Sequence, residues 1–293
     1  MGSIKISRTA SGRVTPVIIV ERYPLERVAD PGKPTFYRSP RLTRAAVPHG
    51  FSTRVGGVSG GPFASLNLGN PNGATEQDTP DNIAENYARL HAAIGVAGRA
   101  RAYVHQVHGC GVEVARPGQP FDVDRRADAV ATDDPSAVAA VRVADCVPVL
   151  LATSDGRAVA AVHAGWRGLV AGVVLRGAHA VRGLAKDPST PLLAAVGPAI
   201  SFDAFEVGPE VAAEFEQAFG GDAAGLLKPS RNPGKAMVDL RGAIVIQLRS
   251  LGMDAGAIDV SDRCTFRDEA EFFSHRRDDG VTGRMAALIG PAA

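Results

Sequence analysis

The sequence predicts a single-domain α+β protein, a mixed β-sheet with helices packed outside it. Three observations lead there. Stretches of strand length alternate with stretches of helical spacing, but without a regular strand–helix–strand rhythm, and several strands follow one another directly. No internal repeat or low-complexity linker divides the 293 residues. Apolar residues make up 45% and charged residues 22%, the profile of a soluble globular chain.

Residues 1–46 read as an N-terminal extension. Pro16, Pro24, Pro31, Pro34 and Pro40 break any periodicity there, leaving room for a strand at Pro16–Glu21 and a short strand with flanking loop at Thr35–Arg44. Residues 47–293 form the domain proper. His49–Gly69 holds six glycines and reads as a loop able to pass close to a ligand. Asp78–Ala100 has the spacing of a helix (Ile83, Tyr87, Leu90, His91, Ile94), with Asp81 as its cap. Strands are expected at Ala102–Val107, Gly111–Ala115, Ala127–Thr132, Ala137–Val143, Cys146–Ala152 and Ala158–Ala164. A helix over Gly165–Leu184 follows, then a strand at Leu192–Val196 and helices at Pro209–Ala218 and Val238–Leu251. Strands at Ile258–Ser261 and Arg284–Ile289 close the chain.

The formal net charge of +1 asks for neither nucleic acid nor an anionic membrane as partner, so any anion recognition must come from local arginines. Three cysteines, Cys110, Cys146 and Cys264, argue against a disulfide framework and for a reducing compartment. With no secretory leader and no apolar run able to span a bilayer, the expected location is the cytoplasm.

The chemistry concentrates in Val141–Val170. Cys146 starts one apolar run, after Asp145 and before Pro148, which suits a strand edge. His163 ends the next run, just before Gly165–Trp166–Arg167–Gly168. If these strands are neighbours, thiol and imidazole lie at the same end of the sheet. His108, in VHQVHGCGV, stands just past another strand end, with His105 as a spectator inside that strand. One thiolate and two imidazoles suit a Zn²⁺ ion with an open fourth position, the pattern of catalytic zinc. Arg167 offers a fork for phosphate or carboxylate, and Trp166, the only tryptophan, is either a stacking platform or a core residue. Arg54 and Asn67 lie in the glycine loop, which matches no Walker or Rossmann spacing but can supply a positive charge as a lid. Arg276 and Arg277 have no role assignable from spacing; they contact an anion or pair with Asp278 and Asp279.

The segments HGFSTRVGGVS, QVHG, ADAVAT, ADCVPVLLA, AAVHAGWRGLVAGVV, VGPAIS…FEVGPEV, MVDLRGAI and CTF…FFSHRRD…TGRMAALI resemble, in order, the YfiH family. That family has also been called multicopper polyphenol oxidase, laccase-domain protein and peptidoglycan editing factor. The likeness covers about residues 47–289, and eight ordered segments make it specific. It implies mixed β-sheets sandwiched between outer helices in α/β/β/α-like layers, and a catalytic domain over residues 47–293. It implies zinc on His108, Cys146 and His163, and phosphorolysis of adenosine, inosine, guanosine and methylthioadenosine with deamination of adenosine. Bacterial members have also been linked to editing of cell-wall precursors. The chain departs from a common form of the family after GPAI, where SFDAFEVG stands in place of cysteines.

Together these readings make Cys146, His163 and Arg54 the catalytic candidates and Arg54, Asn67 and Arg167 the substrate and phosphate contacts. The partners expected are purine nucleosides and phosphate. A true multicopper centre needs on the order of ten histidines and a cysteine; the chain has seven histidines in all. Two other readings use the same residues. In one, Cys146 is the nucleophile and His163 the base of an amidase that needs no metal. In the other, zinc serves folding alone.

Overall fold

Two six-stranded mixed sheets lie face to face in this computed structural model, which describes residues 24–71, 73 and 75–293. The first runs in spatial order Glu26–Val28, Phe36–Arg38, His49–Ser52, Met285–Ile289, Ala137–Val143, Ala100–Ala102. The second runs Ile258–Val260, Leu192–Val196, Val147–Thr153, Val159–Ala164, Ala129–Thr132, Val112–Ala115. A small third sheet joins Glu206–Val207, Ala236–Val238 and Leu227–Pro229.

Both faces of the second sheet are covered, which explains its near-continuous apolar strands. Along Val147–Thr153, Val147, Val149 and Leu151 point to one side and Leu150 and Ala152 to the other. The first set packs with Val173, Val174, Val181, Ile244 and Leu248 of the helices Val173–Leu184 and Leu240–Ser250. The second set meets Phe51, Val141, Met285 and Ile289 of the first sheet. The first sheet's outer face, through Val138, Ala140 and Leu288, packs on Tyr87 and Leu90 of the helix Pro80–Ala93. The layers are therefore helix, sheet, sheet, helix, and the α+β sandwich is the observed architecture.

Several boundaries differ from those expected. Within the 1–46 segment, Glu26–Val28 and Phe36–Arg38 are strands of the first sheet, and Leu25, Tyr37 and Leu42 enter the inter-sheet core. The expected strand Pro16–Glu21 lies outside the described residues. Pro40–Arg44 is a helix, because the Ser39 hydroxyl accepts from the Leu42 amide and Pro40 occupies the first turn. His49–Ser52 is a fully buried strand, so the loop starts later; Gly50 is needed there because a Cβ would come within 2.8 Å of Ile94.

The helix Pro80–Ala93 is capped by Thr79, not Asp81, which sits in the first turn, where its charge favours the amide end. Gly172, at φ 80°, splits the helix expected over Gly165–Leu184 into Trp166–Val170 and Val173–Leu184. Val238 belongs to a strand, and Asp239 caps the helix Leu240–Ser250 that follows. The strand expected at Ala102–Val107 is only Ala100–Ala102, with His105 in an isolated bridge to Arg126. No helix of the described residues is long and apolar enough to cross a membrane.

Candidate metal centre

Strand register brings the candidate ligands together. Val147–Thr153 and Val159–Ala164 pair antiparallel, with Pro148 opposite His163 and Val147 opposite Ala164. One step further along, Cys146 falls opposite Gly165. Ala129 pairs with Val162, so Asp128 falls opposite His163, and the His163 amide donates to the Asp128 carbonyl at 2.7 Å. Alternation along these strands puts Cys146, His163 and Asp128 on the inter-sheet side of the second sheet, at its rim.

His108 arrives on a loop that Asp128 holds. The amides of Val107, His108 and Gly109 all donate to the Asp128 carboxylate, at 3.2, 2.9 and 2.6 Å. The loop turns at His108, whose φ of 59° is left-handed. The ligand atoms of His108, Cys146 and His163 all lie within 4.8 Å of one another, and the two rings meet edge to face at 4.9 Å. His108 is exposed, Cys146 half-buried and His163 buried, so the cluster is open on one side. Gly165 makes the approach possible: a Cβ there would stand 2.8 Å from the His108 ring and 3.2 Å from the Cys146 sulfur.

The donor set suits a metal. Asp128, wholly buried, takes the His163 Nδ1 proton at 2.8 Å, which fixes the ring and leaves Nε2 as the ligand nitrogen. Burial pushes the Asp128 carboxyl up, but the His163 bond and the loop amides hold it below its usual range. Burial also pushes the Cys146 thiol up; the His163 charge and hydrogen bonds from both imidazoles overcome this and bring it down to about 6. His163 is raised correspondingly, since the Cys146 thiolate and Asp128 outweigh its burial. One thiolate and two imidazoles, opened to one side, form a group that could hold a metal ion and leave it a free coordination position.

A second carboxylate braces the rim. Asp145, at φ 86°, accepts from Thr265 Oγ1 at 2.6 Å, Ser274 Oγ at 3.0 Å and the Arg276 amide at 2.7 Å. Arg284 is an electrostatic neighbour of Cys146. Burial and the charge of Arg142 push its pKa down, opposed by Cys146 and Asp145. The Gln106 side chain bonds both the amide and the carbonyl of Arg142 at 2.8 Å, tying the His108 segment to the strand that leads into Cys146.

The remaining candidates have contacts of their own outside the three-residue cluster. Arg54 donates to the Ala64 carbonyl at 2.7 Å and lies 4.5 Å over the Phe273 ring, lining a groove with Arg263, Asp268 and Glu269. Asn67 is wholly buried: its amide donates to Asp78 at 2.9 Å and accepts from the Gly69 and Arg284 amides. It therefore builds the loop and has no surface left for a substrate. Arg167 is exposed and stacks on Trp166 at 4.4 Å. Arg277 pairs with Asp278 and donates to the Thr265 and Phe272 carbonyls, whereas Arg276 donates to the Glu206 carbonyl. Sequence reasoning does not reach Asp128, nor the close packing of Gly165 against the ligands. The signal available for Asp128 is a carboxylate at the head of the apolar run ADAVAT, a pattern shared by an exposed strand end and a paired buried charge.

Comparison with known proteins places these residues in context. The sequence model of the family described as multi-copper polyphenol oxidoreductase laccase matches residues 48–292. A protein of Deinococcus radiodurans named purine nucleoside phosphorylase is 42% identical over 261 residues, 89% of this chain and 94% of that protein. The Escherichia coli K12 protein named purine nucleoside phosphorylase YfiH is 41% identical over 238 residues, 81% of this chain and 91% of that one. Among solved structures, YlmD of Geobacillus stearothermophilus superposes with a TM-score of 0.78 at 30% identity, covering 92% of this chain and all of that one. A Bacillus licheniformis hypothetical protein named YfiH gives 0.78 at 27% identity, over 90% and 98%.

Proposed function

This chain belongs to the YfiH family, the multi-copper polyphenol oxidoreductase laccase family of the matching sequence model, and on that premise we propose that it is a zinc-dependent purine nucleoside phosphorylase that also deaminates adenosine. Its substrates are adenosine, inosine, guanosine and methylthioadenosine with phosphate, as the names of its relatives suggest for the class. The observation that carries the reading is the meeting of His108, Cys146 and His163 at one open-sided point. A multicopper mechanism is rejected, because this is the one three-ligand group found among the described residues.

His108, Cys146 and His163 would hold zinc, which would supply a Lewis acid and lower the pKa of water toward neutrality. The protein does the rest. Asp128 keeps His163 in the tautomer that presents Nε2 and fixes the backbone on which His108 sits. Arg284 supplies positive charge beside Cys146. Arg167, exposed one turn beyond His163, meets the anionic end of the substrate. The three free thiols, Cys110, Cys146 and Cys264, support the reading of a reducing compartment such as the cytoplasm.

The test is incubation of zinc-loaded protein with adenosine, with and without phosphate. Adenine formed only with phosphate marks phosphorolysis, and inosine marks deamination. Loss of both after chelation, with recovery on adding zinc, supports the metal. A second reading is favoured by one observation: Asp128, His163 and Cys146 are linked as orienter, base and lowered thiol, the arrangement of a cysteine hydrolase acting on an amide. Absence of adenine and inosine, with amide cleavage that survives chelation, selects that reading.

A further inference from the structure

The first sheet carries a cavity on its outer face. Along Ala137–Val143, Val138 and Ala140 point outward into the apolar cluster under the helix Pro80–Ala93. By the same alternation Arg142 points outward too, but beyond the cluster. Arg101 lies opposite Val138 in the parallel pairing. Where the helix stops covering the sheet, a cavity of about 550 Å³ opens, lined by Arg101, Arg142, Tyr87, Tyr103, Leu68 and Ile83 among others. That volume lies within the range of small-molecule sites.

Its electrostatics are one-sided. None of its described lining residues is acidic. Among the described residues, neither Arg101 nor Arg142 pairs with a carboxylate, and Arg101 Nε is buried without a hydrogen-bond partner. Leaving a buried guanidinium nitrogen unbonded is costly unless a ligand completes it. Arg101 is also held in place: its guanidinium lies 3.5 Å from the centre of the Tyr87 ring and 4.6 Å from that of Tyr103, so little freedom remains to be lost on binding. Arg142 lies against Gly69, where a Cβ would come within 2.9 Å of its guanidinium, so this glycine gives the side chain its place in the wall. His91, packed edge-on against Tyr87, is held below the usual imidazole range by burial and then by the Arg101 charge.

We propose that this cavity binds a phosphate dianion through the guanidinium forks of Arg101 and Arg142, as a site distinct from the cluster of His108, Cys146 and His163. Two planar forks in a pocket without carboxylates match phosphate geometry better than a single ammonium would. Leu68 and Ile83 provide apolar wall for the body of a phosphate ester. The phosphate comes either as the inorganic ion or as a monoester such as a pentose phosphate.

Calorimetric titration of the full chain separates these sources, with inorganic phosphate in one arm and ribose 5-phosphate in the other. Because binding is read without turnover, the result stands apart from the phosphorylase reading, and metal-free protein serves equally well. Saturable binding of either ligand is expected, weakened at least tenfold in both Arg142→Gln and Arg101→Gln. Tighter binding of inorganic phosphate identifies the free ion as the ligand; tighter binding of the ester identifies the ester. Arg142→Gln leaves the tyrosine sandwich intact, so its effect is separable from any unfolding seen in the Arg101 variant by thermal melt. No saturable binding in either arm, or binding unchanged in a folded Arg142→Gln variant, overturns the proposal.

Discussion

Asp128 Oδ1 accepts the His163 Nδ1 proton at 2.8 Å and the His108 amide at 2.9 Å, so one buried carboxylate sets the positions of two candidate ligands. Asp128→Asn keeps the size but weakens both interactions and frees the His163 tautomer. Zinc affinity should fall about 10–100-fold, and nucleoside turnover with it. Competition with a chromophoric chelator measures the first; an unchanged affinity would show that Asp128 does not orient the site.

Gly165 faces the ligands across the strand pair. In Gly165→Ala the new methyl stands 2.8 Å from the His108 ring and 3.2 Å from the Cys146 sulfur, and one of them must move. The backbone at φ −70° and ψ 161° accepts alanine without strain. The expected protein is folded, with a thermal melt close to that of the parent, but binds zinc poorly. Metal analysis after dialysis checks this, and full zinc occupancy would contradict it.

Cys146→Ala separates catalytic from structural metal. Cys146 lies half-buried at the rim of the second sheet, where it is one of four partly buried residues packed against the inter-sheet core and belongs to neither core's fully buried set. The variant should fold, with a circular dichroism spectrum like that of the parent, and show no turnover. An unfolded chain would mean that the metal serves folding.

Asp145 clamps the C-terminal segment to the rim through three hydrogen bonds. Asp145→Ala leaves two hydroxyls and an amide without their charged acceptor, at a cost of about 3–5 kcal/mol. Urea unfolding should show the loss. A change below about 1 kcal/mol would mean that these donors find other partners.

Acid stability should depend on His49. Its Nδ1 donates to the Val47 carbonyl at 2.8 Å and its Nε2 accepts from the Ser39 amide at 2.7 Å, so only the neutral ring fits. Burial, partly opposed by the Val47 bond, brings its pKa down to about 4 from an ordinary 6.5. Between those values the unfolded chain binds the extra proton, so stability is complete above 6.5 and declines as pH falls through 4, by up to about 3 kcal/mol. Urea midpoints from pH 7 to pH 4 should trace this slope, and His49→Gln, whose amide can still accept from Ser39, should flatten it.

Periodicity in the sequence located most strands and helices, because alternation of apolar side chains is a local property of a strand covered on one or both faces. The paired runs around Cys146 and His163 were legible for that reason, as were the three ligand types. Boundaries failed where a cap or a single glycine decided them: the Ser39 hydroxyl turned Pro40–Arg44 into a helix, and Gly172 broke another. Such contacts involve one hydrogen bond or one dihedral angle and leave little trace in the apolar pattern.

By itself, then, the sequence determined an α+β fold with helices outside mixed β-structure, the family and the three side chains able to hold a metal, since these rest on residue type, spacing and ordered motifs; the two-sheet layering entered only as what the family resemblance implies. Tertiary structure alone decided what orients those side chains. Asp128 and Gly165 act across strand pairs, through register, and the Arg101–Arg142 cavity joins positions forty-one apart along the chain. Asn67, a plausible substrate contact in sequence, proved a buried brace for the same reason: burial and hydrogen-bond partners are set by what packs from elsewhere in the chain.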